Sequence, residues 1–320
     1  MSAPPRQIWV ALVVVYFVWG STYFAIKIAV ETMPPLLTAG TRFLAAGTIL
    51  ALVLALRGSS LRVTLRELFS SAVVGLLLLT LGVGVVHVAE TRIDSSVAAM
   101  IAGTVPLQVI LMRLVAGENP ARATRLSTLA GLVGLGLVIA PGLGAGSIAV
   151  GLAVMIGASM SWSIGSFFSP RLSLPRDPFV ASAYEMLAGG LLLTAVALVA
   201  GEWRDLDNGA LAADSIAAWV YLVVAGSIVG FTAYAWLLRA APISLVVTHQ
   251  FVNPLVAIAL GMLFLGERPT PLTLVGAALV VAAVYVSVRA ESPSARPGSG
   301  AQRETRASPT ASGSPSADLG

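Results

Sequence analysis

The stretch FAIKIAVETMPPLLTAGTRFLAAG, residues 24–47, decides how the chain is read. Two apolar runs meet at the paired prolines Pro34 and Pro35, and within them sit Lys27, the single lysine of the chain, and Arg42. A charge at the centre of a membrane helix costs about 2.5–3.5 kcal/mol on insertion scales. Two cations placed this way need either a route to the membrane surface or a function.

The rest of the chain makes the membrane reading firm. Of 320 residues, 57% are hydrophobic and 11% charged, with a mean hydropathy of +0.90; a soluble domain carries about 25% charged residues. The net charge of +4 does not point to nucleic acid, because the basic residues cluster between apolar runs. Cysteine is absent, which excludes disulfides, thiolate metal sites and a cysteine nucleophile. The first apolar run, from Trp9, is too long for a signal-peptide core and reads as a retained helix.

Ten spans are expected: 9–30, 35–56, 68–88, 94–115, 126–141, 147–169, 178–200, 216–238, 243–265 and 271–288. The fifth is short for a hydrocarbon core of about 30 Å. The runs are continuous rather than alternating, which excludes a closed β-barrel. If residues 1–8 are cytoplasmic, the inner segments hold 14 of the 19 basic residues and the outer loops 3, namely Arg92, Arg204 and Arg268. The positive-inside rule therefore predicts both termini in the cytoplasm. Residues 289–320, rich in Ser, Pro, Gly and Ala, read as a disordered cytoplasmic tail.

The chain also repeats itself. A shift of 143 residues brings Trp19 onto Trp162, Phe24 onto Phe167, Pro35 onto Pro178 and Gly47 onto Gly190. Pro106 meets Pro254 at a shift of 148, and GENP (117–120) meets GERP (266–269) at 149. Each copy, 9–141 and 147–288, holds five spans. An odd number forces the second copy to enter the membrane upside down, the construction of secondary transporters. The expected fold is thus all-α and polytopic, with ten helices in two inverted five-helix repeats.

The segments VWGSTYFAIKIAVETMPPLLTAGTRFLAAG, VPLQVILMRLVAGENP and NPLVAIALGMLFLGERPTPLTLVGAALVV resemble the EamA-type family of the drug/metabolite transporter superfamily. The resemblance covers residues 9–288. It implies a carrier of the bacterial inner membrane with a central cavity between two halves, and export of an amino acid, metabolite or drug.

Polar residues inside the spans are the candidate site. Arg42 lies about 10 Å into the second span, and its repeat counterpart Glu185 lies about as deep from the opposite side. They are candidates for binding a charged substrate or for gating; a structural ion pair is the competing role. Lys27 and Glu90 lie near the outer ends of their spans, as residues of the cavity mouth or as charges reaching the headgroups. His249 and Glu185 are candidates to carry a coupling proton. Pro106 and Pro254 are expected to kink the fourth and ninth spans, with Gln108, Gln250 and Asn253 beside them as hydrogen-bonding groups. Trp19, Tyr23, Trp162, Tyr184 and Tyr234 are candidate aromatic walls.

Other chemistries find no support. The one lysine is followed by Ile28, which excludes a Walker A loop; the two histidines, His87 and His249, stand outside any H-E-x-x-H, and no G-x-S-x-G elbow occurs. No cofactor or metal is expected. The expected partners are the lipid bilayer, a small-molecule substrate and protons as a coupling ion. A membrane enzyme acting on a lipid-linked substrate, or a non-transporting receptor or scaffold, are the competing classes.

Overall fold

A computed structural model describes residues 5–143, 146–206, 211–241 and 249–291. Among the described residues the chain is helical, with no strand and no cis peptide bond. Eight helices are long and apolar enough to cross a membrane: α1 (Arg6–Ala29), α2 (Pro35–Leu56), α3 (Leu65–Glu90), α4 (Ser95–Val115), α5 (Arg122–Gly142), α6 (Gly146–Phe168), α7 (Pro178–Ala200) and α8 (Ala213–Tyr234). Two shorter apolar helices follow, α9 (Val252–Phe264) and α10 (Pro271–Ser287). The helix carrying α8 runs on to Ala240, that of α9 starts at His249, and that of α10 reaches Glu291. The first six residues expected for the ninth span and nearly all of the expected tail lie outside the described residues.

Local chemistry sets the boundaries. Both α2 and α7 begin with proline, whose missing N–H costs nothing in a first turn. At α7 the Asp177 carboxylate also accepts from the Phe179 N–H at 2.9 Å. The third helix starts three residues earlier than hydropathy predicts because Thr64 and Glu67 form a capping box: Glu67 N–H donates to the Thr64 hydroxyl at 3.2 Å, and Thr64 N–H donates to Glu67 at 2.7 Å. The fifth span, expected to be short, is a full helix that begins at Arg122. Its first turn carries Arg122 and Arg125, which the hydropathy pattern assigned to a loop.

Several features recur at the spacing of the sequence repeat. The chain leaves α2 and α7 through Gly58 (φ 75°) and Gly201 (φ 84°), a left-handed conformation that suits glycine. Gly117 (φ 82°) and Gly266 (φ 66°) open the GENP and GERP turns. Wide π-helical turns occupy Gly75–Gly84 of α3 and Leu222–Val229 of α8.

Helix α1 packs between α8 and α9, and α6 packs between α3 and α4. The two most extensive contacts are α2 against α7 and α5 against α10. Small residues let these backbones approach. A Cβ on Gly190 would lie 2.7 Å from the Leu44 nitrogen of α2, and one on Gly276 would lie 2.6 Å from the Gly134 carbonyl oxygen of α5. Because that obstacle is backbone, Gly276→Ala is expected to force α5 and α10 apart. The expected cost is about 1–3 kcal/mol, read as a fall in Tm of the detergent-purified protein; an unchanged Tm would mean that the two helices separate freely.

Large apolar side chains such as Phe17, Leu56, Phe69, Val199 and Leu263 are exposed around the bundle, the perimeter expected of a protein solvated by lipid rather than water. The largest buried cluster joins Ala25, Ile26 and Ala29 of α1 to Val86, Ala98, Met155 and Leu222 from four other helices. It fills the end of the bundle that carries the α1–α2 turn, called here the α1–α2 end.

Candidate functional site

Beneath that cluster lies a cavity of about 760 Å³, counting the open space at its mouth. Among the described residues, seven helices supply its walls: α1, α2, α3, α4, α6, α8 and the helix carrying α9. Helices α5, α7 and α10 contribute no described side chain to the lining, since α5 and α10 face each other and α7 stands behind α2 and α3. Both π-helical turns reach the cavity, through Gly82 and Val83 in α3 and Gly226 in α8. Such turns recur at functional sites because they displace the backbone from the regular helical path.

One wall is aromatic. The Trp19 indole N–H donates to the Gly226 carbonyl at 3.2 Å. Its ring packs against Phe231 at 5.4 Å, Tyr234 at 5.0 Å and His249 at 5.2 Å between centroids. With the Asn253 amide oriented to satisfy its neighbours, its nitrogen donates to the carbonyls of His249 at 3.1 Å and Tyr16 at 3.2 Å. Trp162 closes the opposite wall over Gly82, where a Cβ would lie 3.3 Å from the indole.

Arg42 is the charged member of the lining, and it is only 3% exposed. Its Nε donates to the Ser227 hydroxyl at 3.0 Å. Nη1 is buried with no acceptor. Among the described residues Nη2, beside Gly226, has no acceptor either, and Arg42 forms no ion pair.

Of the residues singled out from sequence, Trp19, Tyr23, Arg42, Trp162, His249 and Asn253 line the cavity together. The others lie elsewhere. Gln108 stands behind the wall, donating to Thr104 at 3.0 Å and Ser159 at 2.9 Å while accepting from Ser163 at 2.8 Å, so it ties α4 to α6. Pro106 does not kink an unbroken helix. The chain turns at Gly103 and Thr104, and Pro106 sits in the first turn of the segment that follows. Pro254 does lie inside its helix, and its ring fills the space beside Gly103, so the two proline regions pack on each other. Glu185 lies outside the lining and forms no ion pair with Arg42. The Tyr184 hydroxyl donates to the Leu61 carbonyl at 2.7 Å, away from the cavity. The Gln250 side chain lies outside the described set.

Lys27 and Glu90 belong to a clasp at the α1–α2 end. The Lys27 ammonium donates to the backbone carbonyls of Glu90 at 2.7 Å and Ile93 at 2.8 Å, closing the last turn of α3. The Glu90 carboxylate is fully buried, and neither of its oxygens has a hydrogen-bond partner. Glu267, beyond α9, accepts from the Ser95 N–H and hydroxyl, both at 2.7 Å, and from the Ser96 N–H at 3.1 Å. Glu202, beyond α7, accepts from the N–H groups of Leu36 at 3.3 Å and Leu37 at 2.8 Å. Two carboxylates from the second half of the chain thus cap two helices of the first half.

Asp94 stands at the N-cap position of α4 yet makes no side-chain bond to the helix, whose first donors go to Glu267. Burial, reinforced by the charge of Glu267, pushes the Asp94 carboxyl above its usual range. A raised acid pKa means that ionising Asp94 opposes folding, so stability is lost as pH rises past the ordinary carboxylate range. Asp94→Asn, still a good N-cap residue, is expected to raise Tm at pH 7 and to leave it unchanged at a pH that protonates the carboxyl. Equal shifts at both pH values would rule out charge as the cause.

Sequence reasoning missed Thr22, Gly82, Val83, Ser159, Gly226 and Phe231 as lining residues. Thr22 sits inside the WGSTY motif, and Gly82 and Gly226 are equivalent at a shift of 144, so the repeat held a signal for them.

The chain is similar to known proteins, some of which carry transporter names. YedA of Escherichia coli K12, described as an uncharacterized inner membrane transporter, is 37% identical over 86% of this chain and 89% of its own length. PecM of Dickeya dadantii is 28% identical over 84% of this chain and 88% of its own. A solved crystal structure aligns with a TM-score of 0.60 at 18% identity, covering 90% of this chain and 100% of that one. The model of the EamA-like transporter family matches twice, over residues 7–140 and 149–289, and the chain therefore belongs to the EamA-like transporter family.

Proposed function

We propose that this membrane transporter is a secondary carrier that moves a small organic molecule across the bacterial inner membrane by alternating access. The observation that carries this reading is that repeat-equivalent positions face each other across one cavity. Trp19 and Trp162, Gly82 and Gly226, Val86 and Phe231, and Val105 and Asn253 all line it, at shifts of 143, 144, 145 and 148. Two copies of one fold around a shared cavity can exchange conformations, which is the mechanical basis of alternating access. The pairing of contacts supports the same reading. Helices α2 and α7, and likewise α5 and α10, are repeat equivalents in mutual contact, while α1 on α9 mirrors α6 on α4.

With ten helices as inverted repeats and both termini cytoplasmic, as the arginine distribution argues, the clasp of Lys27, Glu202 and Glu267 lies at the periplasmic end. The structure then corresponds to the state closed to the periplasm. Export is the direction that family resemblance favours. His249, packed on Trp19 and Tyr234, is the histidine of the lining and the better-placed proton carrier, since Glu185 lies outside the cavity. An enzyme acting on a lipid-linked substrate would need a nucleophile and a base held together, whereas the lining hydroxyls of Thr22 and Ser159 donate to backbone carbonyls of their own helices.

Reconstituted protein in liposomes tests the reading. Substrate-dependent flux is expected from a panel of organic acids, amino acids and drug-like amines, with a response to an imposed pH gradient if protons are coupled. No flux of any panel member, with or without the gradient, would overturn the carrier assignment.

A further inference from the structure

The polar groups around the cavity are unbalanced in one direction. Arg42 lines it with Nη1 buried and unsatisfied, and among the described residues neither Nη1 nor Nη2 has an acceptor. The Tyr23 hydroxyl and the Trp162 indole N–H, also in the lining, form no hydrogen bond among the described residues. Among the described residues no carboxylate belongs to the lining. The segment leading into His249, PISLVVT (242–248), contains no Asp or Glu in its sequence. Cavity hydroxyls that could have offered acceptors are turned to their own helices: Thr22 donates to the Trp19 carbonyl at 2.6 Å, and Ser159 donates to Ile156 at 3.0 Å while receiving Gln108.

A buried guanidinium without an acceptor is an uncompensated cost to the folded protein. That cost is relieved when a ligand supplies the missing oxygens, and a carboxylate matches the guanidinium fork in a bidentate contact. Apart from the polar side chains of Thr22, Ser159, His249 and Asn253, the remaining walls are apolar and aromatic: Trp19, Trp162 and Phe231 around Ile26, Val86 and Met155. They suit a flat hydrocarbon body and provide no ionic partner for an ammonium group. Aromatic rings can hold a cation, yet in a site of low dielectric the unpaired charge of Arg42 repels any second cation more strongly than one ring attracts it.

We propose that the cavity binds a small organic monoanion with a flat apolar body, its acidic group held by Arg42 and the body lying between Trp19 and Trp162. This substrate class rests on the carrier reading above and narrows it, by setting zwitterions and cations below carboxylates. Ser227 is a positioning residue, since its hydroxyl fixes Nε and leaves the other two nitrogens directed elsewhere.

A matched series tests this on the unmodified protein: 3-phenylpropionate, its neutral amide, 3-phenylpropylamine and phenylalanine, which share one hydrocarbon body and differ in charge. Binding is read from quenching of tryptophan fluorescence. 3-Phenylpropionate is expected to bind at least tenfold more tightly than the other three. Arg42→Gln is expected to remove that preference, so that the acid binds no more tightly than the amide. The assignment is overturned if the amine, the amide or the amino acid binds as well as the acid. It is equally overturned if no member binds, or if folded Arg42→Gln keeps the preference for the acid. The ligand series decides the matter even where the variant does not fold. Flux in liposomes separates the two readings. Binding of the acid without flux counts against the carrier and leaves the anion site standing. Flux of the amine or amide in preference to the acid counts against the anion site and leaves the carrier standing.

Discussion

Glu267→Ala is expected to shift the protein toward a state open at the α1–α2 end. The Glu267 carboxylate joins the turn beyond α9 to the first turn of α4 through three hydrogen bonds, at 2.7, 2.7 and 3.1 Å. Two of the donors are N–H groups at a helix start, where no intrahelical acceptor exists. Asp94 does not cap them in its place, having no side-chain bond to the helix. Charge-assisted bonds of this kind and the loss of an N-cap together make the change worth about 2–3 kcal/mol, or roughly 30- to 150-fold in the conformational equilibrium. The carboxylate bridges the two halves of the chain, so its loss acts on their separation more than on either half alone. Because the chain has no cysteine, a single Ala29→Cys change provides a clean reporter. Ala29 is fully buried in the apolar cluster that roofs the cavity. A membrane-impermeant maleimide should label this reporter 30- to 150-fold faster in the Glu267→Ala background. Unchanged labelling in a protein that still melts cooperatively would mean that the bond caps a helix and nothing more.

Depth along a span was legible in the sequence, and direction around a helix was not. The prolines at 35 and 178, the glycines that follow α2 and α7, and the arginine-rich loops marked where helices begin and end. The boundaries that slipped were those set by side-chain chemistry, as at Thr64, or by charges in a first turn, as at Arg122. The site divides the same way. Trp19 and Trp162 were found through the repeat and Arg42 through its cost in a membrane, and both signals report depth. Glu185 has the same depth as Arg42 by the repeat, yet it stays outside the cavity because α7 lies behind α2 and α3. Apolar residues surround these helices on nearly every side, so hydropathy carries almost no information about which face turns inward. The small residues were hidden for a related reason. Gly226 and Gly82 matter for the space they leave, and in a chain with 31 glycines no single one stands out.

Gly226→Val is expected to abolish ligand binding while leaving the protein folded. Gly226 lies in the wide π-helical turn of α8, and it shares that turn with Ser227, which holds Arg42. A Cβ at this position would stand 3.1 Å from Arg42 Nη2 and 3.1 Å from the Thr22 methyl group. Alanine therefore needs movements of a few tenths of an ångström from two side chains, and one of them is the flexible end of an arginine. Valine adds two further methyl groups, and its branched Cβ fixes their directions, so the guanidinium has to leave the place that Ser227 gives it. The Gly226 carbonyl also receives the Trp19 indole N–H, which couples the displacement to the aromatic wall. Overpacking of this kind costs about 1–3 kcal/mol in stability, small enough for the bundle to survive. The expected result is a loss of no more than about tenfold for 3-phenylpropionate binding in Gly226→Ala, and about a hundredfold or more in Gly226→Val, on the scale of 1.4 kcal/mol per tenfold. Near-normal binding by a folded Gly226→Val protein would show that the ligand does not depend on the space between Arg42 and Thr22, and the geometry assigned to the cavity would have to be abandoned.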